Sequence, residues 1–356
     1  MRRGKRRIAL VAIGILFATA MSAWARSPRS ARIREDLTIP SATGSTVRRS
    51  QPSRAQTDHP PDAPTPIRQA VRTAAAVSDP GWSLPEPEAL SAASALLMDA
   101  DTGAVLLARH PMERRPPAST TKIMTALLIL EEGRLDDMVV IGERVGTVGG
   151  TGLGLRRGQR VMLRDLLWAI LIKSANDAAL AAAEHVGGSE EQFVEMMNAK
   201  AAALGMQGTH FMNSHGLDDP DHYSTAYDLA ILAREALRNP TFARMVQTRE
   251  ASLVIRTGRS GNVVKRKTIR THNQLLGQFF GADGVKTGYT SLAGRCLVAS
   301  ATRGERQLIA VLLNDTRRWV EAAALLEYGF AALGGGASGL GVADGSSADM
   351  PKGEGG

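Results

Sequence analysis

Apolar and polar positions divide the chain into regions of different pattern. An apolar run, 8–20, follows a basic start, whereas residues 26–88 show no apolar periodicity. Over 89–333, short alternating segments predict strands and longer apolar runs predict helices. Residues 334–356 are rich in Gly, Ser and Ala, which predicts a disordered tail. The pattern therefore predicts one ordered domain over 89–333.

Within that domain, strands are predicted at both ends and helices in the middle. Two pairs of alternating segments predict hairpins, 94–98 with 104–108 and 294–302 with 307–314. The predicted helices are approximately 119–132, 163–172, 177–185, 190–204, 225–238 and 319–333. The predicted fold class is α+β, with the N- and C-terminal strands sharing one antiparallel sheet. A parallel doubly wound fold would need regular alternation of strands and helices, and the sequence lacks it.

The first 25 residues have the layout of a secretory signal peptide. A basic run ends at Arg7, an apolar run follows, and Ala23-Trp24-Ala25 is a small-residue site, so we expect cleavage after Ala25 and export to the periplasm or another extracytoplasmic space. An uncleaved N-terminal membrane anchor is the alternative, although the apolar run is short for a bilayer span. Residues 26–88 hold ten of the sixteen prolines, which predicts a flexible linker.

The net charge of +8 is at first sight typical of a nucleic-acid or anionic-surface binder. The position of the charges changes that interpretation. Residues 1–25 contain five bases and no acid, whereas residues 89–356 contain 29 bases and 28 acids. The basic excess therefore belongs mainly to the export segment and the linker. The single Cys296 excludes an intramolecular disulfide, and no Cys or His pair has metal-ligand spacing.

Three short motifs contain the candidate chemistry. They are Ser119-Thr-Thr-Lys122, Ser174-Ala-Asn176 and Lys286-Thr-Gly288. Each motif alone is weak, but their order and their placement on a helix start, a loop and a strand are specific in combination. Ser119 and Lys122 are three residues apart on a predicted helix, so their side chains share a face. Lysine can take a serine proton when burial or a nearby cation such as Lys286 lowers its pKa.

The second motif is predicted to form a loop tip between two apolar helices. The Ser174 hydroxyl could relay a proton to a leaving amine, and the Asn176 carboxamide could bind a substrate amide. Either side chain could equally cap the next helix.

The third motif opens a predicted edge strand. The Lys286 ammonium and the Thr287 hydroxyl suit a substrate carboxylate, and Gly288 allows a substrate backbone to approach closely. The backbone N–H groups of Ser119 and Tyr289 could together form an oxyanion hole.

These residues resemble those of the serine-type D-alanyl-D-alanine carboxypeptidases, the low-molecular-mass penicillin-binding proteins of peptidase family S11. The resemblance covers roughly 92–333 and is strongest over 118–125, 173–178, 213–217, 283–290 and 294–300. It implies a β-lactamase/DD-peptidase-like fold. It also implies that the chain is a hydrolase acting on peptidoglycan stem peptides.

The resemblance further implies a role for each site residue. Ser119 would attack the bond between two terminal D-alanines, Lys122 would be the general base, and Ser174 would pass the proton to the departing D-alanine. Asn176 would hold the substrate or Lys122. The implied substrate-binding residues are Lys286, Thr287, Gly288, Tyr289 and Arg318. β-Lactams would acylate the serine, no metal or organic cofactor would be needed, and nucleic acid would not be a partner.

Three alternatives stay open at this point. A class A-like β-lactamase needs an acid that activates water, and the nearest candidate, Glu235, has the wrong spacing on an ordinary predicted helix. A D,D-endopeptidase would use the same residues in a wider cleft. A non-catalytic muropeptide-binding module would not need Ser119 and Lys122 to be intact.

Many relatives have a C-terminal amphipathic anchor, but the tail here has no amphipathic pattern, so we expect at most weak membrane association.

Two further residues have mainly structural interpretations. His215 beside Gly216 is typical of a turn, and Cys296 lies in a strand pattern that predicts an inert buried thiol.

Overall fold

The computed structural model describes residues 89–258 and 262–334. The predicted signal peptide, the whole predicted linker and the predicted tail beyond Gly334 therefore lie outside the described residues. The described strands are β1 (Ser94–Asp99), β2 (Val105–Arg109), β3 (Met138–Val140), β4 (Arg160–Met162), β5 (Glu250–Thr257), β6 (Val263–Arg270), β7 (Ala282–Thr290), β8 (Gly294–Arg303) and β9 (Arg306–Leu313). The described α-helices are α1 (Lys122–Glu132), α2 (Leu163–Trp168), α3 (Asn176–Gly187), α4 (Glu190–Ala203), α5 (Ala226–Leu237), α6 (Pro240–Val246) and α7 (Arg318–Ala332).

The main sheet has five antiparallel strands in the spatial order β2-β1-β9-β8-β7. The first hairpin of the domain thus pairs with the last one, through register partners such as Leu96 and Val311. This arrangement confirms the predicted α+β fold class and the predicted sharing of one sheet by both ends of the domain. Strand β7 lies at the edge of the sheet, as predicted, but Lys286 lies in its middle and does not open it.

The main sheet is covered on both faces. Helix α7 packs on one face through residues such as Leu326 and Phe330, against sheet residues such as Leu97. The other face, which includes Leu96, packs on the helical middle of the chain, with α1 at its centre. The alternation of Leu96 and Leu97 between two apolar clusters follows from the two-residue period of a strand.

Two of the predicted helices differ from the observed ones at the places where the motifs lie. The helix predicted from residue 119 begins as a 3-10 turn, Ala118–Thr121, and becomes α-helical only at Lys122. The helix predicted over 163–172 changes after Trp168 into a π-helical turn, Ala169–Lys173. Both departures from regular α-geometry directly position a site side chain.

A second sheet, with the order β3-β4-β5-β6, was not predicted. Strands β3 and β4 have three residues each, which is too short to show a pattern. Strand β6 reads Val-Val-Lys-Arg-Lys-Thr-Ile-Arg, and seven of its eight residues are not buried, so it has no apolar alternation. Helix α6 was also missed, although Asn239 caps it and Pro240 opens it.

Among the described residues, no helix has the length and apolar character that a bilayer span requires.

Candidate active site

Ser119 lies in the tight turn that precedes α1. The two threonines after it stabilise the turn, because Thr120 Oγ1 donates to Pro117 O and Thr121 Oγ1 donates to Ala118 O. Ala118 has a positive φ of 49°, an uncommon conformation for alanine. Gly216 closes the turn from the other side, since a Cβ on this glycine would clash with Ala118 O. The turn is therefore fixed by its neighbours, and the serine is presented at its surface.

Lys122 lies three residues after Ser119, at the start of α1, and its side chain is fully buried. Its Nζ is 3.0 Å from Ser119 Oγ, 2.6 Å from Asn176 Oδ1 and 2.5 Å from the carbonyl oxygen of His215. Burial lowers the pKa of Lys122 well below its usual value, and the nearby Lys286 lowers it further. The two N–H bonds of a neutral amine can go to the amide and carbonyl oxygens, which leaves its lone pair for the serine proton.

Ser174 and Asn176 follow the π-helical turn that ends α2. Ser174 adopts the left-handed conformation, with φ 61° and ψ 35°, so the chain reverses and its hydroxyl turns into the cleft. Asn176 begins α3, and its side chain is held between two partners. Its Oδ1 accepts from Lys122, and its Nδ2 donates to Gly149 O at 2.8 Å. Neither residue caps α3 through its side chain, because the N-cap position is occupied by Ala175.

Lys286 lies opposite Lys122 across the cleft. Its Nζ donates to Ser174 Oγ and to Thr287 O, both at 2.9 Å. Burial lowers the pKa of Lys286 to about 7, and the nearby Arg318 contributes to the shift. Near pH 7 the Lys286 amine is therefore partly protonated, and a substrate carboxylate can stabilise its charged form.

Arg318 lies behind β7 at the start of α7. Its guanidinium donates to Gly288 O and to Cys296 O, at 3.0 and 3.3 Å, and stacks on Trp319. The structure thus places Arg318 next to the Lys286 strand, in contact with its backbone. Its positive charge acts across the strand on Lys286, whose pKa it lowers.

Gly288 brings β7 against the serine turn. A Cβ on this glycine would lie 3.1 Å from Pro117 O and 3.2 Å from the backbone nitrogen of Ser119. Such a close approach of two backbones favours glycine. Tyr289, whose N–H is predicted to share an oxyanion hole with that of Ser119, is the next residue of this strand.

A sequence profile described as D-alanyl-D-alanine carboxypeptidase, of peptidase family S11, matches residues 82–317. The chain belongs to this family.

Curated proteins and solved structures agree with the family assignment. The chain is 39% identical over 247 residues to the D-alanyl-D-alanine carboxypeptidase DacF of Bacillus subtilis, covering 67% of this chain and 62% of that protein. It is 39% identical over 261 residues to DacD of Escherichia coli, covering 69% of this chain and 64% of that protein. The chain thus spans less than two thirds of the length of these relatives. A crystal structure of the Streptomyces K15 DD-transpeptidase superposes with a TM-score of 0.65 at 32% identity, covering 68% of this chain and 98% of that one.

One carboxylate that was not predicted from the sequence organises this carboxypeptidase-family site. Asp177, next to Asn176, is buried and accepts hydrogen bonds from the backbone N–H groups of Leu153, Gly154 and Leu155. The loop that these bonds fix also supplies Gly149 O to the Asn176 side chain. A glycine-rich segment followed by an acid in the first turn of a helix was the available sequence signal.

His215 contributes to the site through its backbone. Its carbonyl oxygen accepts from Lys122, while its Nδ1 accepts from the Leu217 N–H. Burial lowers the pKa of the His215 imidazole to about 3, so the ring is neutral at pH 7. These contacts agree with the predicted turn role. Cys296 is buried as predicted, and burial raises the pKa of its thiol to about 11.

Two further findings concern the β-lactamase alternative and metal binding. Glu235 lies on the regular helix α5, paired with Arg238 one turn later. Within the described part of the chain, no group of three or more His, Cys, Asp or Glu residues could hold a metal ion.

Proposed function

We propose that the protein is a serine D,D-carboxypeptidase, which removes the terminal D-alanine from peptidoglycan stem peptides through an acyl-enzyme on Ser119. The observation that carries this proposal is the environment of Lys122. A buried amine with a lowered pKa lies 3.0 Å from a serine hydroxyl, and two oxygen acceptors occupy its other hydrogens. A salt bridge or an apolar residue would stabilise this position better than the buried amine does. The arrangement is therefore typical of a functional site.

Substrate binding uses the free edge of β7. An extended peptide adds to this edge by main-chain hydrogen bonds. Its terminal carboxylate is bound by the Lys286 ammonium and the Thr287 hydroxyl, with Arg318 adding positive charge from behind the strand. The oxygen of the scissile carbonyl accepts from the N–H groups of Ser119 and Tyr289.

Acylation then follows from the proton positions. Ser119 Oγ bonds to the carbonyl carbon while its proton passes to the neutral Lys122 amine. The tetrahedral intermediate collapses by breaking the C–N bond. The departing D-alanine amine receives the proton from Lys122 through the Ser174 hydroxyl, which is held by a hydrogen bond from Lys286 Nζ.

Deacylation repeats these steps with water. Lys122 takes a proton from a water molecule, the hydroxide adds to the ester carbon, and Ser119 leaves as an alkoxide that regains the proton. β-Lactams enter the same path, since their amide and carboxylate occupy the positions of the D-Ala-D-Ala bond and its terminus. We infer export as well, because residues 1–25 have the layout of a signal peptide.

The decisive experiment mixes the protein with purified stem peptides and identifies the products by mass. Loss of one D-alanine from monomers supports the carboxypeptidase, and conversion of cross-linked dimers to monomers would instead indicate an endopeptidase. A fluorescent penicillin should label wild-type protein, whereas Ser119→Ala should neither be labelled nor release D-alanine. Retained release by Ser119→Ala, or no labelling of folded wild-type protein, would overturn the proposal.

Transpeptidation is a second candidate activity, because the structurally similar K15 protein is a DD-transpeptidase. In that reaction an amine replaces water in deacylation. Adding a free D-amino acid to the assay tests this point: exchange of the terminal D-alanine for the added amino acid would show transfer besides hydrolysis.

A further inference from the structure

A carboxylate that the proposed reaction does not use lies beside the last residue of β7. Thr290, the last residue of β7, is buried, and its Oγ1 donates to Asp218 Oδ1 at 2.5 Å. The same Oγ1 accepts from the N–H of Ala293, so its only proton is committed to the carboxylate. Asp218 itself is exposed. Among the described residues it forms no ion pair, and its second oxygen has no hydrogen-bond partner.

The register of a bound substrate follows from the proposed function, on which this inference rests. The terminal carboxylate lies at Lys286 and Thr287, whereas the scissile carbonyl lies at Tyr289. The substrate therefore runs antiparallel to β7, and its penultimate residue pairs with Tyr289. The residue before it, the third of the stem peptide, then pairs with Thr290.

The pairing also fixes which face the third side chain occupies. Directly opposed residues of an antiparallel pair place their side chains on the same face, about 5 Å apart at Cβ. Alternation along β7 places Thr290 on the face of Lys286, whose Nζ bonds Ser174 on the cleft side. An L-residue opposite Thr290 therefore directs its side chain toward Asp218.

The surroundings of Asp218 suit a long side chain with a cationic end. Leu217, the preceding residue, is half-buried, and its Cδ2 lies 3.7 Å from where a Cβ on Gly150 would stand, at the rim of the cleft. Methylene groups can pack on this leucine while a terminal ammonium reaches the carboxylate. We propose that Asp218 is a specificity-determining residue, which selects stem peptides whose third residue is a diamino acid with a free side-chain amine.

The test compares two peptides that differ only in that amine: Nα-acetyl-L-Lys-D-Ala-D-Ala and its Nα,Nε-diacetyl form. At low ionic strength we expect wild-type protein to favour the free amine by about threefold in kcat/KM, as for a solvent-exposed ion pair. Added salt should reduce this ratio. In Asp218→Asn the amide oxygen can still accept from Thr290, so the strand end is retained, and the ratio should fall to about one.

The control is Asp221→Asn. Asp221 is also exposed and lies three residues after Asp218, so this variant removes the same charge from a neighbouring position. This variant should keep the wild-type ratio and its salt dependence. A wild-type ratio near one, or a ratio that survives in Asp218→Asn, would overturn the inference and leave the carboxypeptidase function standing. If wild-type protein cleaves neither peptide, the proposed function fails, and the inference falls with it. Labelling by a fluorescent penicillin shows that each variant has a folded active site.

Discussion

A Cβ on Gly288 would stand 3.2 Å from the backbone nitrogen of Ser119, so the third motif lies close against the main chain of the first one. We predict that Gly288→Ala moves β7 a few tenths of an ångström away from the serine turn and widens the oxyanion hole. The rate of acylation by a fluorescent penicillin should fall about tenfold or more, since small displacements of reacting groups are costly. Gly146→Ala is the matched control, because its Cβ would meet only Leu155 O, at 3.7 Å. Equal rates for the two variants would contradict the prediction.

The contact between Asn176 and Lys122 predicts a change in the pH profile. Asn176→Asp places a carboxylate 2.6 Å from Nζ, which stabilises the ammonium and raises the pKa of Lys122. Less of the neutral base is then present at a given pH, so the acid limb of kcat/KM should move to higher pH. If the pKa of Lys122 rises by about one, activity on that limb falls about tenfold at a given pH.

The matching control for this variant is Asn239→Asp, at the N-cap of α6. Aspartate is an equally good N-cap residue, and the Asn239 side chain accepts from the N–H groups of Thr241 and Phe242 in its own helix. Its pH profile should follow the wild type. Were Asn176→Asp to show an acid limb at the wild-type position, Lys122 would not be the base.

The lowered pKa of Lys286, about 7, predicts weaker binding of carboxylate substrates in alkaline solution. As the pH rises above this value the ammonium loses its proton, so the KM for a D-Ala-D-Ala peptide should increase. Lys286→Arg stays charged over this range, and its KM should change little with pH, whatever its kcat. Parallel KM profiles for the two proteins would show that the charge of this residue does not bind the carboxylate.

A buried carboxylate near the start of α7 predicts a stabilising substitution. Asp315 is almost fully buried, and burial raises its pKa above the value for an exposed aspartate. Its contribution to stability is therefore present at low pH and is lost as the pH rises through the folded-state pKa. Asp315→Asn keeps an oxygen for the Ser91 hydroxyl and the Arg317 N–H, and it removes the charge.

We expect the free energy of unfolding of Asp315→Asn to exceed that of wild type by about 1 kcal/mol at pH 8. The difference should shrink as the pH falls towards 4, where Asp315 is also neutral. Chemical denaturation at the two pH values measures it. A variant that is less stable than wild type at pH 8 would show that the ionised carboxylate, and not its neutral form, is required by the fold.

The sequence predicted the parts of the site that are side chains at fixed spacing. Ser119, Lys122, Ser174, Asn176 and Lys286 converge as the three motifs suggested, because helix and strand periodicity carry such information. The sequence did not reveal the carbonyl oxygens of His215 and Gly149, since every residue has one and only the folded chain selects them. It also missed Asp177, whose partners are backbone N–H groups of a loop without periodic pattern.

The fold shows a similar division. Long apolar runs and alternating hairpins predicted the main sheet and most of the helices. The second sheet was missed because exposed basic residues interrupt β6 and because β3 and β4 are short. The π-helical turn before Ser174 was missed as well, since the apolar residues of such a turn do not differ in type from those of an α-helix.

The free edge of β7 has a consequence for drug resistance on the proposed function. Substrate and β-lactam would both bind there through main-chain donors and acceptors besides Lys286 and Thr287, and among substitutions only one to proline removes a main-chain donor. A substitution in β7 that excluded the drug would thus tend to exclude the cell-wall peptide also. Discrimination between the two has to arise at positions that only the peptide reaches, beyond the end of the strand.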